Sequence, residues 1–515
     1  MNLILTNGNV ITLDPTHPQA KTVVIIDDKV FWVEDKGDFK ELKKQNANLI
    51  DCSGKTILPG FIDTHCHLAA FAESLMTLNL DSHNHTYSIS DIQSKIHQSS
   101  QKSLPGTWIK ARGYNEFYLT EKRHPTRWDL DIATSMHPVK LSHRSNRAHV
   151  LNSLGLAMVG ISNETADPPE GLIDRDLVTG EPTGLLYNMS DYLAKFIPPM
   201  DSQQIERGIK LANQELLASG ITSIQDASSH NKIEQWIMFQ KWKREGFLKP
   251  RLSMMHGIEG FKRFCRDDLS TKIDQNQLRL GGVKIIIHQT TGQLTPNQEE
   301  LNETVLRIHE AGMQVILHAV EKETIEAACN AIEFALERSP RQDHRHRIEH
   351  CSVCTPSLAR RIASLGIIVV TQPSFIYFNG ERYLRTVADS ELKHLYPIAT
   401  LMKSGARIVG SSDFPIVPPN PLKGIYSAIS RLAESGERIP PFEERISLSE
   451  ALRMYTEYAA KTTFEEIIKG TITPNKVADL VILNGDLSNL PSDEIKDIEV
   501  EMTILNGEIV WEKRV

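Results

Sequence analysis

Cysteine is scarce in this sequence, with six residues scattered over a chain of 515. Proteins that depend on a disulfide framework are short and much richer in cysteine, so such a framework is excluded. The first residues, Met1 to Gly8, also lack the basic stretch and the apolar stretch that together form a signal peptide. We therefore expect a cytoplasmic protein whose thiols stay free.

Long apolar runs and basic clusters are missing as well. No stretch of about 18 consecutive apolar residues occurs, so we expect no membrane span. The formal net charge is −8 and no Lys/Arg-rich face recurs, which disfavours nucleic acid as a partner. Hydrophobic residues make up 40% of the chain, enough for a sizeable core. A small molecule is the expected partner, and the sequence leaves open whether the chain forms a homo-oligomer.

One cysteine pair, Cys351 and Cys354, has the C-x-x-C spacing. This spacing occurs in half of a zinc site and in redox pairs, but no second C-x-x-C follows and no thioredoxin-like context surrounds it. We therefore interpret the pair as two semi-buried thiols that follow a strand.

Both ends of the chain have the pattern of short β-strands separated by tight turns. Residues 1–55 contain a turn at Asn7-Gly8, and residues 465–515 contain similar turns at Asn484-Gly485 and Asn506-Gly507. Neither end alone offers a deep core, so we predict that the two ends form one small β-sandwich domain.

Residues 56–464 alternate strand and helix patterns at the spacing of βα units, which predicts an α/β fold with a (β/α)₈ TIM-type barrel. The stretch from about residue 68 to 220 is too long for a barrel loop, and we interpret it as an insertion after the first barrel strand that packs over the barrel mouth. The eight predicted strands are Ile57–Asp63, Ile221–Asp226, Leu252–His256, Val283–Ile287, Val315–His318, Arg347–His350, Ile367–Thr371 and Arg407–Gly410.

Histidines and one aspartate stand where these predicted strands end, and active sites of such barrels lie at that end. His65 and His67 end the first strand and share one side of it by alternation. His318 ends the fifth strand, His350 ends the sixth, and Asp413 follows the eighth. A lone histidine at a strand end is usually structural, so the joint placement is the specific signal. Four imidazoles and a carboxylate suit zinc or a similar divalent ion.

Two motifs resemble those of the amidohydrolase superfamily. Pro59-Gly-Phe-Ile-Asp-Thr-His-Cys-His67 resembles its first-strand motif, and Lys476-Val-Ala-Asp-Leu-Val-Ile-Leu483 resembles its C-terminal signature. The resemblance runs nearly from end to end. It is closest to the branch that contains the N-substituted formamide deformylases, through the insertion segments that begin at Trp108 and Pro125.

This resemblance implies a ligand set for one or two divalent ions per chain, with zinc the expected metal. His65, His67, His318 and His350 would be ligands, and Asp413 would be both a ligand and the catalytic general base. Such a metal lowers the pKa of its bound water towards about 7. The resulting metal-activated hydroxide would cleave a non-peptide C–N bond of amide type, while Asp413 passes the proton to the leaving nitrogen.

The resemblance also implies a role for Lys284. Relatives with two metals bridge them with a fourth-strand lysine that is carboxylated by CO₂, and Lys284 matches that place. A carbamylated lysine offers two anionic oxygens, whereas a free ammonium group repels metals. The alternative is a lysine that is buried near the barrel floor or paired with an acid. The number of metals stays open at this point.

Substrate contacts are expected from the insertion. Many relatives have a histidine five residues before the asparagine of a Leu-Asn-Ser motif, but Arg147 occupies that place here. We therefore expect Arg144 or His149 to replace it, together with Tyr114.

Two other functions compete with the amide hydrolase. One is a mononuclear aminohydrolase that deaminates a heterocycle, in which Glu321 of His318-Ala-Val-Glu321 protonates a ring nitrogen. The alternative for Glu321 is that it simply begins the next helix, where a carboxylate suits the helix dipole. The other function is an inactive barrel used as a binding scaffold, and the intact ligand set argues against it.

Overall fold

The computed structural model describes residues 2–35, 47–168, 171–266, 277–290 and 292–513. They divide into two compact units. The barrel unit comprises Met1–Leu68 and Asn213–Val515, and the insertion unit comprises Ala69–Ala212. No helix within these described ranges is both long and apolar enough to cross a membrane.

Eight parallel strands in the barrel unit form one nearly closed sheet, which confirms the predicted TIM-type barrel. The strands are β1 (Phe61–Cys66), β2 (Ile221–Asp226), β3 (Arg251–His256), β4 (Leu278–Ile286), β5 (Val315–Ala319), β6 (Arg347–His350), β7 (Ile368–Thr371) and β8 (Arg407–Gly410). Each strand pairs with the next in this order, and β1 approaches β8 through a hydrogen bond of 2.9 Å from Thr64 Oγ1 to the carbonyl oxygen of Gly410.

Every residue of β1, β2, β6 and β7 is buried, as expected for parallel strands that are covered on both faces. The predicted first strand was wrong in its bounds. Thr56–Pro59 belongs to a different sheet, and β1 begins only at Phe61. Gly60 lies between the two strands. Only glycine fits at this position, because a Cβ atom there would lie 2.3 Å from Thr222 Oγ1. The break places His65 inside β1 rather than after it.

Helices and short 3₁₀ turns connect the barrel strands and follow the last one. Helix Gln298–Glu310 is representative, because Asn297 and Glu300 form a capping box at its start and its apolar face is buried. The α-helices are Ile233–Arg244, Ile258–Arg266, Gln298–Glu310, Lys322–Arg338, Pro356–Ser364, Ser374–Thr386, Asp389–Leu392, Ile398–Lys403, Pro421–Ser430, Leu448–Met454 and Glu457–Lys461, and the 3₁₀ turns are Phe442–Glu444 and Ser492–Asp497.

Strands from both chain ends form two further sheets in the barrel unit. One buried apolar cluster draws on both sheets and includes Leu3, Val23, Ile57, Leu480 and Ile504. The six-stranded sheet has the order Glu508–Glu512, Val500–Leu505, Leu480–Leu483, Thr56–Pro59, Asn9–Ile11 and Gln19–Ala20. The four-stranded sheet has the order Lys29–Glu34, Thr22–Ile26, Leu3–Thr6 and Asn48–Asp51, and a small hairpin pairs His288–Thr290 with Gln293–Thr295.

The insertion unit is built on its own six-stranded sheet and has its own apolar core, which includes Ile92, Leu130 and Leu141. The strand order is Leu172–Arg175, Pro182–Tyr187, Ala148–Leu151, Val139–His143, Ile109–Tyr114 and Leu78–Asn79. Its helices are Ile89–Ser100, Arg127–Ala133, Ser153–Met158 and Ser190–Ala194, with a 3₁₀ turn at Ser82–Asn84. Helices Leu68–Leu75 and Ser202–Ala218 run across the unit boundaries.

Candidate metal centre

A single group of three or more potential metal ligands occurs among the residues that the structure describes, and it consists of His65, His67 and Asp413. One ligand atom from each lies within 4.8 Å of the other two. Asp413 Oδ1 is 3.2 Å from His67 Nε2 and 3.5 Å from His65 Nε2. The backbone supports this geometry, because the Asp413 amide donates to the His65 carbonyl oxygen and the His67 amide donates to the Phe414 carbonyl oxygen, both at 2.9 Å.

The imidazoles at this centre are oriented through their Nδ1 atoms. The pairs are His65 with Glu349, His67 with Ser228 Oγ at 3.0 Å, and His350 with Gln372 Oε1 at 2.8 Å. A carboxylate can only accept a hydrogen bond, so Nδ1 of His65 carries its proton and Nε2 keeps a free lone pair. The same holds for His350, because Gln372 Nε2 donates to Ser411 Oγ at 3.0 Å and this leaves Oε1 to face the ring. Partners of this kind are typical of metal-binding histidines.

His350 and His318 continue the row of imidazoles from His65. The ring centroids of His65 and His350 are 4.9 Å apart, and those of His350 and His318 are 4.4 Å apart. These two histidines are not part of the group whose ligand atoms lie within 4.8 Å of one another. His350 and Asp413 both adopt left-handed backbone conformations, with φ of 71° and 59°. Such conformations cost about 1–3 kcal/mol each, and they cluster at functional sites.

The charges at the centre favour a cation. Burial alone would raise the pKa of Asp413, but His67, His65 and His350 together lower that pKa to about 2, so the carboxylate is ionised at neutral pH. Burial holds the pKa of His65 well below its usual value, and the nearby Lys284 adds to this effect. Burial also lowers the pKa of His350. These two rings are therefore neutral near pH 7 and can donate a lone pair. The pKa of His67 is raised instead, because the effect of burial is outweighed by its hydrogen bond to Asp413 together with the nearby carboxylate charges.

Lys284 lies in β4 and is only 3% exposed. Its Nζ atom has no hydrogen-bond partner among the described residues. Burial lowers the pKa of Lys284 to about 8, although the charges of Glu349 and Asp413 act in the opposite direction. A buried amine without a partner is costly. The ionised carboxylate and the neutral rings of His65 and His350 fit a divalent cation, whereas the Lys284 amine fits one only in its uncharged form.

Glu321 is not part of the group of potential metal ligands found among the described residues. Glu321 is exposed and occupies the position that precedes helix Lys322–Arg338. In the described part of the chain its side chain makes no capping hydrogen bond to that helix. This position corresponds to the alternative in which Glu321 begins the next helix.

In the insertion unit, His149 is held by internal contacts. It is buried, with Nδ1 3.0 Å from Ser142 Oγ and Nε2 2.8 Å from Ser190 Oγ. Burial lowers the pKa of His149 to about 3, and the charges of Lys140 and His143 lower it further. Both ring nitrogens are therefore used within the fold, and a contact between His149 and a substrate stays a prediction.

The other two predicted substrate contacts lie close together in the insertion unit. Tyr114 is buried, and its hydroxyl is 2.9 Å from His124 Nδ1. Arg144 is half-buried, and its amide donates to the Tyr114 carbonyl oxygen at 3.0 Å. His143 packs edge-on against Tyr114 and lies 3.0 Å from Glu116 Oε2. His143 is the chain neighbour of Arg144, which is predicted from the sequence as a substrate contact.

The residues that orient the imidazoles were not predicted from the sequence. Glu349 and Arg347 are completely buried in β6, a strand of four residues that ends at His350. Two charged residues at alternate positions of a buried strand are rare, and this pattern was a usable signal. The cysteines Cys351 and Cys354, which follow β6, are buried and free.

Comparisons with known proteins agree with this geometry. The sequence matches the Amidohydrolase family over residues 48–511. It is 26% identical to the N-substituted formamide deformylase of Arthrobacter pascens, over 99% of this chain and 98% of the relative. It is 27% identical to the putative amidohydrolase YtcJ of Bacillus subtilis, over 95% and 96% of the two chains.

A solved structure shows the same fold. The uncharacterized metal-dependent hydrolase from Pyrococcus furiosus superposes with a TM-score of 0.74 at 24% identity. The match covers 94% of this chain and 99% of the other. A likeness at this identity shows the fold alone.

Proposed function

The chain belongs to the amidohydrolase family, and on this premise we propose that it is a metal-dependent hydrolase of a non-peptide C–N bond of amide type. The observation that carries the proposal is the convergence of His65 Nε2 and His67 Nε2 on Asp413 Oδ1, at 3.5 Å and 3.2 Å. These are the donor types that zinc prefers, so we propose zinc as the metal.

The proposed ligands come from five barrel strands or the loops that follow them. His65, His67 and Asp413 would hold one ion, His318 and His350 would hold a second, and a carboxylated Lys284 would be the ligand that both ions share. The orphaned Nζ atom of Lys284 supports this part of the proposal, because a pKa near 8 leaves part of the amine neutral and only a neutral amine reacts with CO₂. When bound, a divalent cation supplies Lewis acidity that lowers the pKa of water and polarises a carbonyl oxygen.

Asp413 is the proposed general base. Its pKa of about 2 keeps the carboxylate ionised at neutral pH, so its oxygens are available as the acceptor for a proton from the attacking water. It then returns the proton to the nitrogen atom that leaves. Proton transfer of this kind contributes about 10²–10⁴-fold to the rate.

The proposed substrate class is an N-substituted amide with a small acyl group, with formamides as the first choice. The relative from Arthrobacter pascens, which matches over nearly its whole length, supports this choice. We propose that the two sheets built from both chain ends form a β-sandwich that includes Thr56–Pro59, beyond the predicted boundary at residue 55, and that the chain from Phe61 to about residue 464 forms the catalytic barrel. The insertion, about residues 68–220, supplies Tyr114 and Arg144 as contacts to a small-molecule substrate.

The test is a matched substrate panel with zinc-reconstituted protein. It compares N-substituted formamides, the corresponding acetamides, lactams and aminoheterocycles, with the released amine, acid or ammonia measured by chromatography. We expect formate and amine from the formamides, and no release by the Asp413→Asn variant. Release of ammonia from an aminoheterocycle without any amide cleavage contradicts the proposal, and so does a panel in which no compound is hydrolysed.

A further inference from the structure

Arg347 and Glu349 form an ion pair in the interior of the barrel, with side chains that are 1% and 0% exposed. Arg347 Nε donates to Glu349 Oε1 at 2.8 Å, and one terminal nitrogen donates to Glu349 Oε2 at 3.1 Å. The remaining donors reach the carbonyl oxygen of Thr64 at 2.8 Å and Gln225 Oε1 at 2.5 Å. Thr64 is in β1 and Gln225 is in β2, so the guanidinium group extends from β6 to strands that are not its neighbours in the sheet.

Stability alone is a weak reason for such a pair. Removing two charges from water costs several kcal/mol, and replacement of a buried ion pair by apolar residues is often neutral or stabilising. The pair has one further contact that an apolar replacement would lose. Glu349 Oε2 accepts the hydrogen bond from His65 Nδ1, so the network ends at a proposed metal ligand.

The partner of His65 also differs in charge from the partners of His67 and His350. Ser228 Oγ contacts His67 Nδ1 and Gln372 Oε1 contacts His350 Nδ1, and both groups are neutral. A hydrogen bond to an ionised acceptor is roughly twice as strong as one between neutral groups. A carboxylate at Nδ1 also makes the opposite nitrogen a stronger donor to a metal.

We propose that Glu349 is a positioning residue, oriented by Arg347, that fixes His65 with Nε2 towards the metal and strengthens this nitrogen as a ligand. This inference rests on the proposed function, because it requires a metal at His65. Strand β6 would then provide both the proposed metal ligand His350 and the residue that positions His65.

The test measures the zinc affinity of the full-length chain after metal removal, by competition with a chromophoric chelator. Glu349→Gln keeps the shape and an acceptor oxygen but removes the charge, and we expect it to weaken zinc binding about 10–100-fold. The matched control is Asp479→Asn, since Asp479 is another buried carboxylate held by an arginine, with Arg251 Nε at 2.6 Å. The control is expected to change zinc affinity less than about 2-fold while lowering the free energy of unfolding in urea.

A double variant keeps the inference testable if Glu349→Gln does not fold. Arg347→Met combined with Glu349→Leu replaces the pair by apolar side chains, which such sites usually tolerate. It should fold and still bind zinc more weakly than the wild type. Wild-type affinity in either folded variant overturns the positioning role alone. A wild-type protein that binds no zinc overturns the proposed function instead, whatever the variants do.

Discussion

The backbone amide of Asp413 donates a hydrogen bond of 2.9 Å to the carbonyl oxygen of His65. The proposed general base is thereby tied to the strand that provides two of the proposed ligands. The side chain of Asp413 then places Oδ1 within 3.5 Å of both imidazoles. Because the backbone fixes this position, the carboxylate can be exchanged for an amide of the same shape without disturbing the connection.

Asp413→Asn is therefore expected to remove activity and preserve the fold. The amide cannot accept the proton from water, so kcat/KM on the substrate found in the panel should fall by about 10²–10⁴-fold. Circular dichroism and the unfolding midpoint should stay close to those of the wild type. An Asp413→Asn protein with near wild-type turnover contradicts the role of Asp413.

Lys284→Met is expected to raise the stability of the metal-free protein while lowering the metal content. The wild-type amine is buried without a hydrogen-bond partner in the described part of the structure, so its removal should raise the free energy of unfolding of the metal-free protein by about 1–3 kcal/mol. The same change removes the proposed bridge, and metal content should fall from two ions to one. Elemental analysis and urea unfolding check the two effects.

A short carboxylic acid in the buffer provides the control for Lys284. It can supply the two missing oxygens, so the shorter variant Lys284→Ala should regain part of its metal and its activity. Unchanged metal content in both variants, with an unmodified amine in the wild type, speaks for a mononuclear enzyme.

Glu321→Gln distinguishes the amide hydrolase from the aminohydrolase. Glu321 is exposed in front of helix Lys322–Arg338, so its neutral form should change kcat less than about 2-fold and should lower stability by about 0.3–1 kcal/mol through the helix dipole. Kinetic assays beside thermal unfolding measure both quantities. Loss of turnover with an intact fold favours the aminohydrolase in place of our proposal.

The lowered pKa of His149 predicts how the stability of the insertion unit changes in acid. Its pKa is lowered from 6.5 to about 3 in the folded state, chiefly by burial. Between these values the unfolded chain binds more protons than the folded one, so stability falls as the pH falls from 6.5 towards 3. Hydrogen exchange in strand Ala148–Leu151 should show this loss. His149→Gln, which does not titrate, should make the dependence shallower, and an equal acid response in both proteins contradicts the assignment.

Local sequence patterns predicted much of the barrel. Strands β2, β6 and β8 have the predicted bounds, because their apolar runs are short and end at polar residues or glycine. The first strand was misread because apolar residues stand on both sides of Pro59-Gly60, and the break there coincides with the close approach of Thr222 from another strand. Such contacts across the fold are not visible in local patterns.

The same contrast between local patterns and contacts across the fold explains which site residues could be predicted from the sequence. His65, His67 and Asp413 stand out because they end strands or follow them. The pairing of His65 with Glu349 crosses the barrel from β1 to β6, and the pairing of His350 with Gln372 depends on the register of β6 and β7. These partners are distant in the sequence, so only the folded chain reveals them.

Metal binding tests the central claim most directly. Purified protein should be stripped with a chelator, reconstituted with zinc and analysed for bound metal beside the His65→Ala and His67→Ala variants. We predict two zinc ions per wild-type chain, a lower content in both variants, and an anomalous diffraction peak between His65 Nε2, His67 Nε2 and Asp413 Oδ1. A wild-type protein that stays metal-free after incubation with zinc or manganese contradicts the account.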